Sequence, residues 1–579
     1  MAETIITPPI LQGPTAKEKK YDRQLRLWAA NGQAALENAK VLLLNSGSGV
    51  VGVEILKNLI LPGVGSFTIV DETNVSELDL GVNFFLEESS LGKWRAEETC
   101  KFLQELNPEV KINALKESID VFADNPSRLE QYSLILLVGP TTNARVLEKI
   151  CEYADKSSIP LFYIHCQGFF SHFSVQLPAQ FPIVDTHPDP ASTQDLRLLN
   201  PWPELLEFLE TKTRNLDSLS DHDHGHIPYL LILLHFLNIW KASHDAQAPA
   251  NYFEKKEFKA LVESGARTNN SEGGEENFDE AAAAVLKSLN PPSISSGLRQ
   301  VFEADDCQNI KSTSANFWII ANAIRNFHTS HNGILPLPGA LPDMKAQSSD
   351  YIQLQNIYKA KARSDLAEVT RTVRSSEQEV GRNPPIEQAE IEAFCKGAQF
   401  VKMIHGRPIR VAKCTAEIDW NDRAKVLSPE LQTPDSLLPL YFAFLALDRY
   451  QDDIDRIQKV RKPADDEQLN DIMAGRVVSG AVPPLPMFAE SAHFSTPTID
   501  PEHDPKPWPR FDTPEARTTF DNVVKELDRA DRGELHNIAA LTGGMVAQEV
   551  IKVITKQYVL VDNTCVFDGI ASKTAVFNI

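Results

Sequence analysis

The chain has 579 residues and a formal net charge of −22 at pH 7. The length suits about two to four domains with sizeable cores. The acidic balance argues against nucleic acid as a partner, because phosphate backbones are held by concentrated Lys and Arg. Seven scattered cysteines without a CxxC argue against a disulfide framework or a zinc site, and point to a reducing compartment, cytoplasmic or nuclear.

The N-terminal stretch "MAETIITPPILQGPTAKEKK" has no basic region followed by an apolar core, so it does not read as a signal peptide. From 40 to 166 apolar strands and amphipathic helices alternate. Strands are predicted at 41–45, 66–70, 110–114, 134–138 and 161–164, and helices at 51–61, 95–106 and 145–156. This alternation predicts a doubly wound α/β sheet. From about 177 to 480 the pattern is mainly helical. The apolar run 227–240, "IPYLLILLHFLNIW", falls short of the roughly 20 residues a bilayer span needs and reads as a buried helix, so no membrane is expected as a partner. The polar stretch 264–277 reads as a mobile loop and the proline-rich 481–516 as a linker or irregular insertion. The tail returns to helix and strand.

Chemistry concentrates in "NSGSGVVG". Gly47, Gly49 and Gly52 form GxGxxG between a strand and a helix, where exposed amides suit a phosphate, and Asp71 follows the second strand where an acid meets a ribose. The same glycines also serve to pack a helix against a strand. Two neighbouring segments bear on the choice. No Lys or Arg lies between Asp71 and Gly92, although a triphosphate needs cations there. No Asp or Glu lies in 131–144, at the strand end where a magnesium ion would need a carboxylate.

With "KYDRQLRLW", the glycine stretch, "NFFLEESSLGKWRAE", "DLRLLNPWPEL", "LPDMKAQSSDYIQLQNIY" and "HNIAALTGGMVAQEVIKVITKQYV" in view, the chain resembles the ubiquitin-like modifier activating enzymes of the ThiF/MoeB-like superfamily. It is most similar to the regulatory subunits of the heterodimeric Rub (Nedd-8) activating enzymes. The resemblance covers essentially the whole chain. It implies a degenerate Rossmann-like adenylation fold built from 1–170 and 517–579, with a large, mainly helical insertion at 171–480 that lacks the catalytic cysteine, and the 481–516 segment between. Active relatives carry an Asn-Arg-Gln segment, a Lys and a magnesium-binding Asp. Here "ELDLGVNFF" has no Arg, Arg95 stands where the Lys is expected, and Pro140 falls at the position of the Asp.

The resemblance therefore implies a non-catalytic subunit, not active alone, that binds no cofactor and no metal. ATP and magnesium would be used by the catalytic subunit, its partner. The other implied partners are the modifier and its conjugating enzyme. Arg23 matches the arginine that reaches across the dimer to the partner's ATP, with Leu25, Leu27 and Trp28 anchoring its helix by burial. Tyr21, Gly543 and Gly544 are implied as interface or structural positions. A regulatory subunit for another modifier such as SUMO, a pure adaptor, and an independent nucleotide enzyme are the alternatives. Two further features read as ordinary structure. Cys414 in "VAKCTAEIDW" lacks the proline that precedes the family's thioester cysteine, and His222, His224 and His226 lack zinc-helix spacing and are expected to cap a helix starting near Ile227.

Overall fold

The computed structural model describes residues 13–140, 144–189, 193–269, 274–409, 423–460 and 513–579. Cys414 and most of the proline-rich segment lie outside these residues. The chain divides into two compact units, one built from 1–181 and 404–579, the other from 182–403.

The first unit is organised by an eight-stranded sheet. Its first five strands are β1 (Lys40–Leu44), β2 (Ser66–Val70), β3 (Lys111–Leu115), β4 (Leu134–Val138) and β5 (Leu161–Gln167). They lie parallel in the spatial order 3-2-1-4-5, the doubly wound arrangement that the alternation predicts. β1 and β4 are runs of Val, Leu and Ile buried along nearly their whole length, as befits central strands covered on both faces. β6 (Phe170–Gln176) turns back antiparallel on β5. Two short strands, β7 (Phe181–Val184) and β8 (Val401–Ile404), pair separately. The sheet is completed from the C-terminus by β9 (Thr564–Asp568) and β10 (Lys573–Phe577), both antiparallel.

The His536–Thr555 helix packs against the Val50–Ile60 helix. Among the described residues it is the one helix long and apolar enough to cross a membrane, and most of it is buried within the unit. On the opposite face of the sheet, the Leu438–Val460 helix buries Leu438, Tyr441, Phe442, Phe444 and Leu445 in a cluster with Phe520, Val524 and Leu527 of the Pro514–Ala530 helix and Val566 of β9. The sequence reading assigns 438–460 to the helical insertion. In the structure it belongs to the sheet-bearing unit, and the inserted unit is the shorter span 182–403. Apolar spacing shows that a helix has a face to bury, but not which surface covers it.

The second unit is mainly helical, with two apolar clusters. In one, Trp202 from "NPWPEL" meets Tyr358 from "YIQLQNIY" edge-to-face at 4.9 Å, and the Tyr358 hydroxyl donates to the Leu196 carbonyl at 2.6 Å. These two segments, both distinctive in the sequence, therefore form one core. The Tyr229–Ser243 helix is buried within it. The histidine segment forms its own short turn, Asp221–His224, capped by Ser220, whereas Pro228 precedes the Tyr229–Ser243 helix and supplies no side-chain cap. The expected capping role is thus corrected: proline fixes the entry geometry of that helix without a donor or acceptor side chain. The His222 and His226 rings lie close, with centroids 4.2 Å apart, but His224 does not join them. His224 pairs with Glu275 at 2.7 Å, while His226 Nδ1 contacts the His222 carbonyl at 2.7 Å.

Candidate functional site

β1 delivers the chain into the glycine turn at the end of the sheet. Gly49 precedes the Val50–Ile60 helix with φ +64°, a left-handed conformation that suits glycine. A Cβ there would lie 2.3 Å from Asn45 Nδ2, and one at Gly52 would lie 2.6 Å from Asn45 Oδ1. Both positions must be glycine because the Asn45 amide fills the space between turn and helix. Gly47 also has positive φ and backs onto Pro140.

The Asn45 amide donates to Asp71 Oδ2 at 3.1 Å. Asp71 Oδ2 also accepts from Arg95 Nε at 2.8 Å, and its Oδ1 accepts from the Thr73 amide at 2.9 Å. Arg95 opens the Arg95–Leu106 helix and is itself buried. Its Nη1 donates to Asp79 Oδ1 at 2.9 Å and to the Ser48 carbonyl at 3.2 Å. Burial pulls the guanidinium pKa down, but Asp71 and Asp79 outweigh it and the net direction is up. The acid in the ribose position is thus neutralised from within the chain.

The helix N-terminus is filled as well. Glu534 is buried, and its Oε2 accepts from the Val51 amide at 2.7 Å; the amides of Gly49 and Val50 also favour its charged form. Exposed amides and the helix dipole attract an anion here, and the chain supplies one from the loop before the His536–Thr555 helix. Burial nevertheless raises the Glu534 carboxyl to about 7, against the opposing pull of the Val51 amide and the Arg95 charge.

What remains beside the turn is a cavity of about 140 Å³ lined by residues that include Asn45, Gly47, Asp71, Glu72, Thr73 and Asp120. Ligand pockets commonly hold about 300 Å³ or more. The lining includes three acids and no Lys or Arg. At the end of β4, the Ser46 hydroxyl contacts the carbonyls of Val138 and Pro140 at 2.7 and 2.6 Å.

The remaining predicted residues divide. Arg23 is exposed on the Asp22–Asn38 helix; it is Arg26 that pairs with Asp22 there, at 2.8 Å. Trp28 is buried and donates to Gln33, Leu25 is half-buried, and Leu27 is exposed. The expected burial of Leu27 is corrected: the helix breaks at Trp28 and Ala29, where φ reaches +56°, and the break leaves its side chain outside. Tyr21 is buried, with its hydroxyl accepting from Asn107 at 3.2 Å. Gly543 and Gly544 meet different surroundings. A Cβ on Gly543 would lie 2.8 Å from Glu54 Cβ, whereas one on Gly544 would meet nothing within 4 Å.

Each described cysteine for which a shift is resolved is pushed up by burial: Cys100, Cys151 and Cys395 to about 12, Cys307 and Cys565 to about 11, and Cys166 well above its ordinary value. Such thiols are poor nucleophiles at neutral pH. Glu534 escaped the sequence reading. Its signal, an acid just ahead of a helix, is too common to interpret until the fold brings it to a turn almost 500 positions away.

A doubly wound sheet with a retained glycine turn, whose anion-binding end is filled by its own side chains, defines an adenylation-type scaffold. The ThiF family matches residues 21–579. The NEDD8-activating enzyme E1 regulatory subunit of Danio rerio is 35% identical, covering 98% of this chain and 99% of the relative. The protein of the same name from Xenopus laevis is 34% identical over 97% and 99%. The NEDD8-activating enzyme E1 regulatory subunit AXR1 of Arabidopsis thaliana is 32% identical over 98% and 97%. The chain belongs to the ThiF family and, within it, to the NEDD8-activating enzyme E1 regulatory subunits.

Proposed function

We propose that this chain is the half of a heterodimeric activating enzyme that does not hold the nucleotide. The catalytic subunit binds ATP and magnesium, adenylates the C-terminal glycine of a NEDD8-type modifier, takes it as a thioester and passes it to a conjugating enzyme. The observation that carries this reading is the Glu534 carboxylate on the Val51 amide, with Arg95 on Asp71 beside it. Where a nucleotide-binding relative would receive phosphate and ribose, this chain satisfies its own groups. The chain's part is to stabilise the partner and to shape the surfaces that receive modifier and conjugating enzyme, in the cytoplasm or nucleus and away from membranes.

Arg23 supplies the chemical contribution: a guanidinium donated to phosphate oxygens in the partner's site. Its planar fork is always charged and can hold two oxygens. Its exposure, and that of the nearby Leu27, supports a partner-facing role. Leu78 and Phe84, 85% and 68% exposed, add apolar surface of the kind a partner covers.

The experiment is co-purification with the catalytic subunit, followed by ATP–pyrophosphate exchange. A stable one-to-one complex that exchanges, and an isolated chain that does not, are expected. Exchange by the isolated chain would overturn the reading. Arg23→Ala should slow adenylation at least about tenfold with the dimer intact; an unchanged rate would remove the trans-arginine role and leave a pure adaptor.

A further inference from the structure

Two histidines face each other across the β5–β6 hairpin. His165 and His172 are paired in register, so their side chains project from the same face of the sheet. Both are almost completely buried. Over them lies the Leu438–Val460 helix, which presents Tyr441, Phe444 and Asp448 at spacings of three and four, one helical face. The Phe444 ring centroid lies 4.9 Å from that of His165 and 4.8 Å from that of His172, closing an apolar wall. Asp448 adds a carboxylate at the edge of this wall.

The polar atoms inside are poorly satisfied. Neither ring nitrogen of His172 has a hydrogen-bond partner among the described residues. His165 Nδ1 lies 2.9 Å from Asp448 Oδ1, within ion-pair range but without the alignment of a hydrogen bond. A buried polar group left without a partner costs about 1–3 kcal/mol, so a core with such an imidazole calls for a ligand. The donor atoms of His165, His172 and Asp448 all lie within 4.8 Å of one another.

We propose that His165, His172 and Asp448 form a site for a divalent transition cation of the zinc type, which ties the Leu438–Val460 helix to the β5–β6 hairpin. Two imidazole nitrogens and one carboxylate oxygen are a donor set that suits zinc. Bonds of about 2.0–2.2 Å in tetrahedral array put donors about 3.3 Å apart, so side-chain rotation closes the widest gap by at most about 1.5 Å and opens the 2.9 Å His165–Asp448 pair slightly. The Tyr163 hydroxyl, which donates to Asp448 Oδ2 at 2.9 Å, orients the carboxylate in the way ligating groups are held from behind. Water fills the fourth position. Asp448 is partly exposed and supplies the entry side. The site is separate from the glycine turn and takes no part in adenylation; its role is to hold the Leu438–Val460 helix against the β5–β6 hairpin.

The test uses the full chain, stripped with a chelator and titrated with zinc sulfate and then cobalt chloride, beside His172→Asn and Asp448→Asn. The wild type should take up one equivalent of zinc more than either variant. Its affinity at that site should exceed theirs on the order of 100-fold or more. Zinc should raise the melting temperature of the wild type only, and cobalt should give the intense visible absorption of a tetrahedral site only there. Equal uptake by wild type and variants, or no uptake, would overturn the proposal. Asp448→Asn, at the edge of the cluster, keeps the test decisive if His172→Asn does not fold.

Discussion

The Glu534 carboxylate sets up a measurable conflict between burial and the helix N-terminus. Its ordinary value of 4.5 is raised to about 7 in the folded chain, so the native state holds the proton more tightly than the unfolded one. By linkage, the stability tied to this proton is fully present below about 4.5 and is lost as pH rises through about 7. At about 1.4 kcal/mol for each step of one in pKa, the loss between those limits is about 3 kcal/mol. Glu534→Gln imitates the protonated acid, keeping an oxygen for the Val51 amide and removing the titration. The variant and the wild type should therefore be nearly equal near pH 4.5, and the variant more stable at pH 8. For a chain of 579 residues a 1 kcal/mol change moves the melting temperature by roughly 1 °C, so the gap should open to about 3 °C. Differential scanning fluorimetry of both proteins from pH 4.5 to 8.5 measures it, and subtracting one from the other cancels titrations they share. A gap that stays constant with pH, or that favours the wild type at pH 8, would show that the amides and Arg95 outweigh burial.

Arg95→Met should cost about 3–5 kcal/mol, since it strands the buried carboxylates of Asp71 and Asp79; chemical denaturation of variant and wild type measures the loss, and an unchanged midpoint would refute the assigned ion pairs. Gly543→Ala should destabilise the isolated chain by at least about 1 kcal/mol because its methyl group meets the backbone of the Val50–Ile60 helix. Gly544→Ala should stabilise it by up to about 1 kcal/mol through helix propensity, having nothing within 4 Å to strike. Thermal unfolding of both variants checks the contrast, and equal effects would refute the assigned packing.

Local pattern alone determined a good deal about this protein. The apolar runs that became β1, β2 and β4, the Arg95–Leu106 helix and the closing strands are set by residue type over a few positions, so the alternation of a doubly wound sheet was legible. The cation-free stretch after Asp71, and Pro140 at the end of β4, were legible too, and on them rests the expectation that this chain holds no nucleotide. The tertiary structure decided which side chains meet around the glycine turn. Arg95 could be read as standing in a lysine's position, but only folding turns it inward onto Asp71 and Asp79 rather than toward a ligand. Glu534 reaches the Val51 amide, and Asp448 reaches His165, across hundreds of residues of intervening chain. The Leu438–Val460 helix declared an apolar face without declaring its cover, and the surface that buried it belongs to the sheet. Periodicity is a property of neighbours in sequence. Which side chain neutralises a buried acid, or meets a histidine across a hairpin, is a property of neighbours in space.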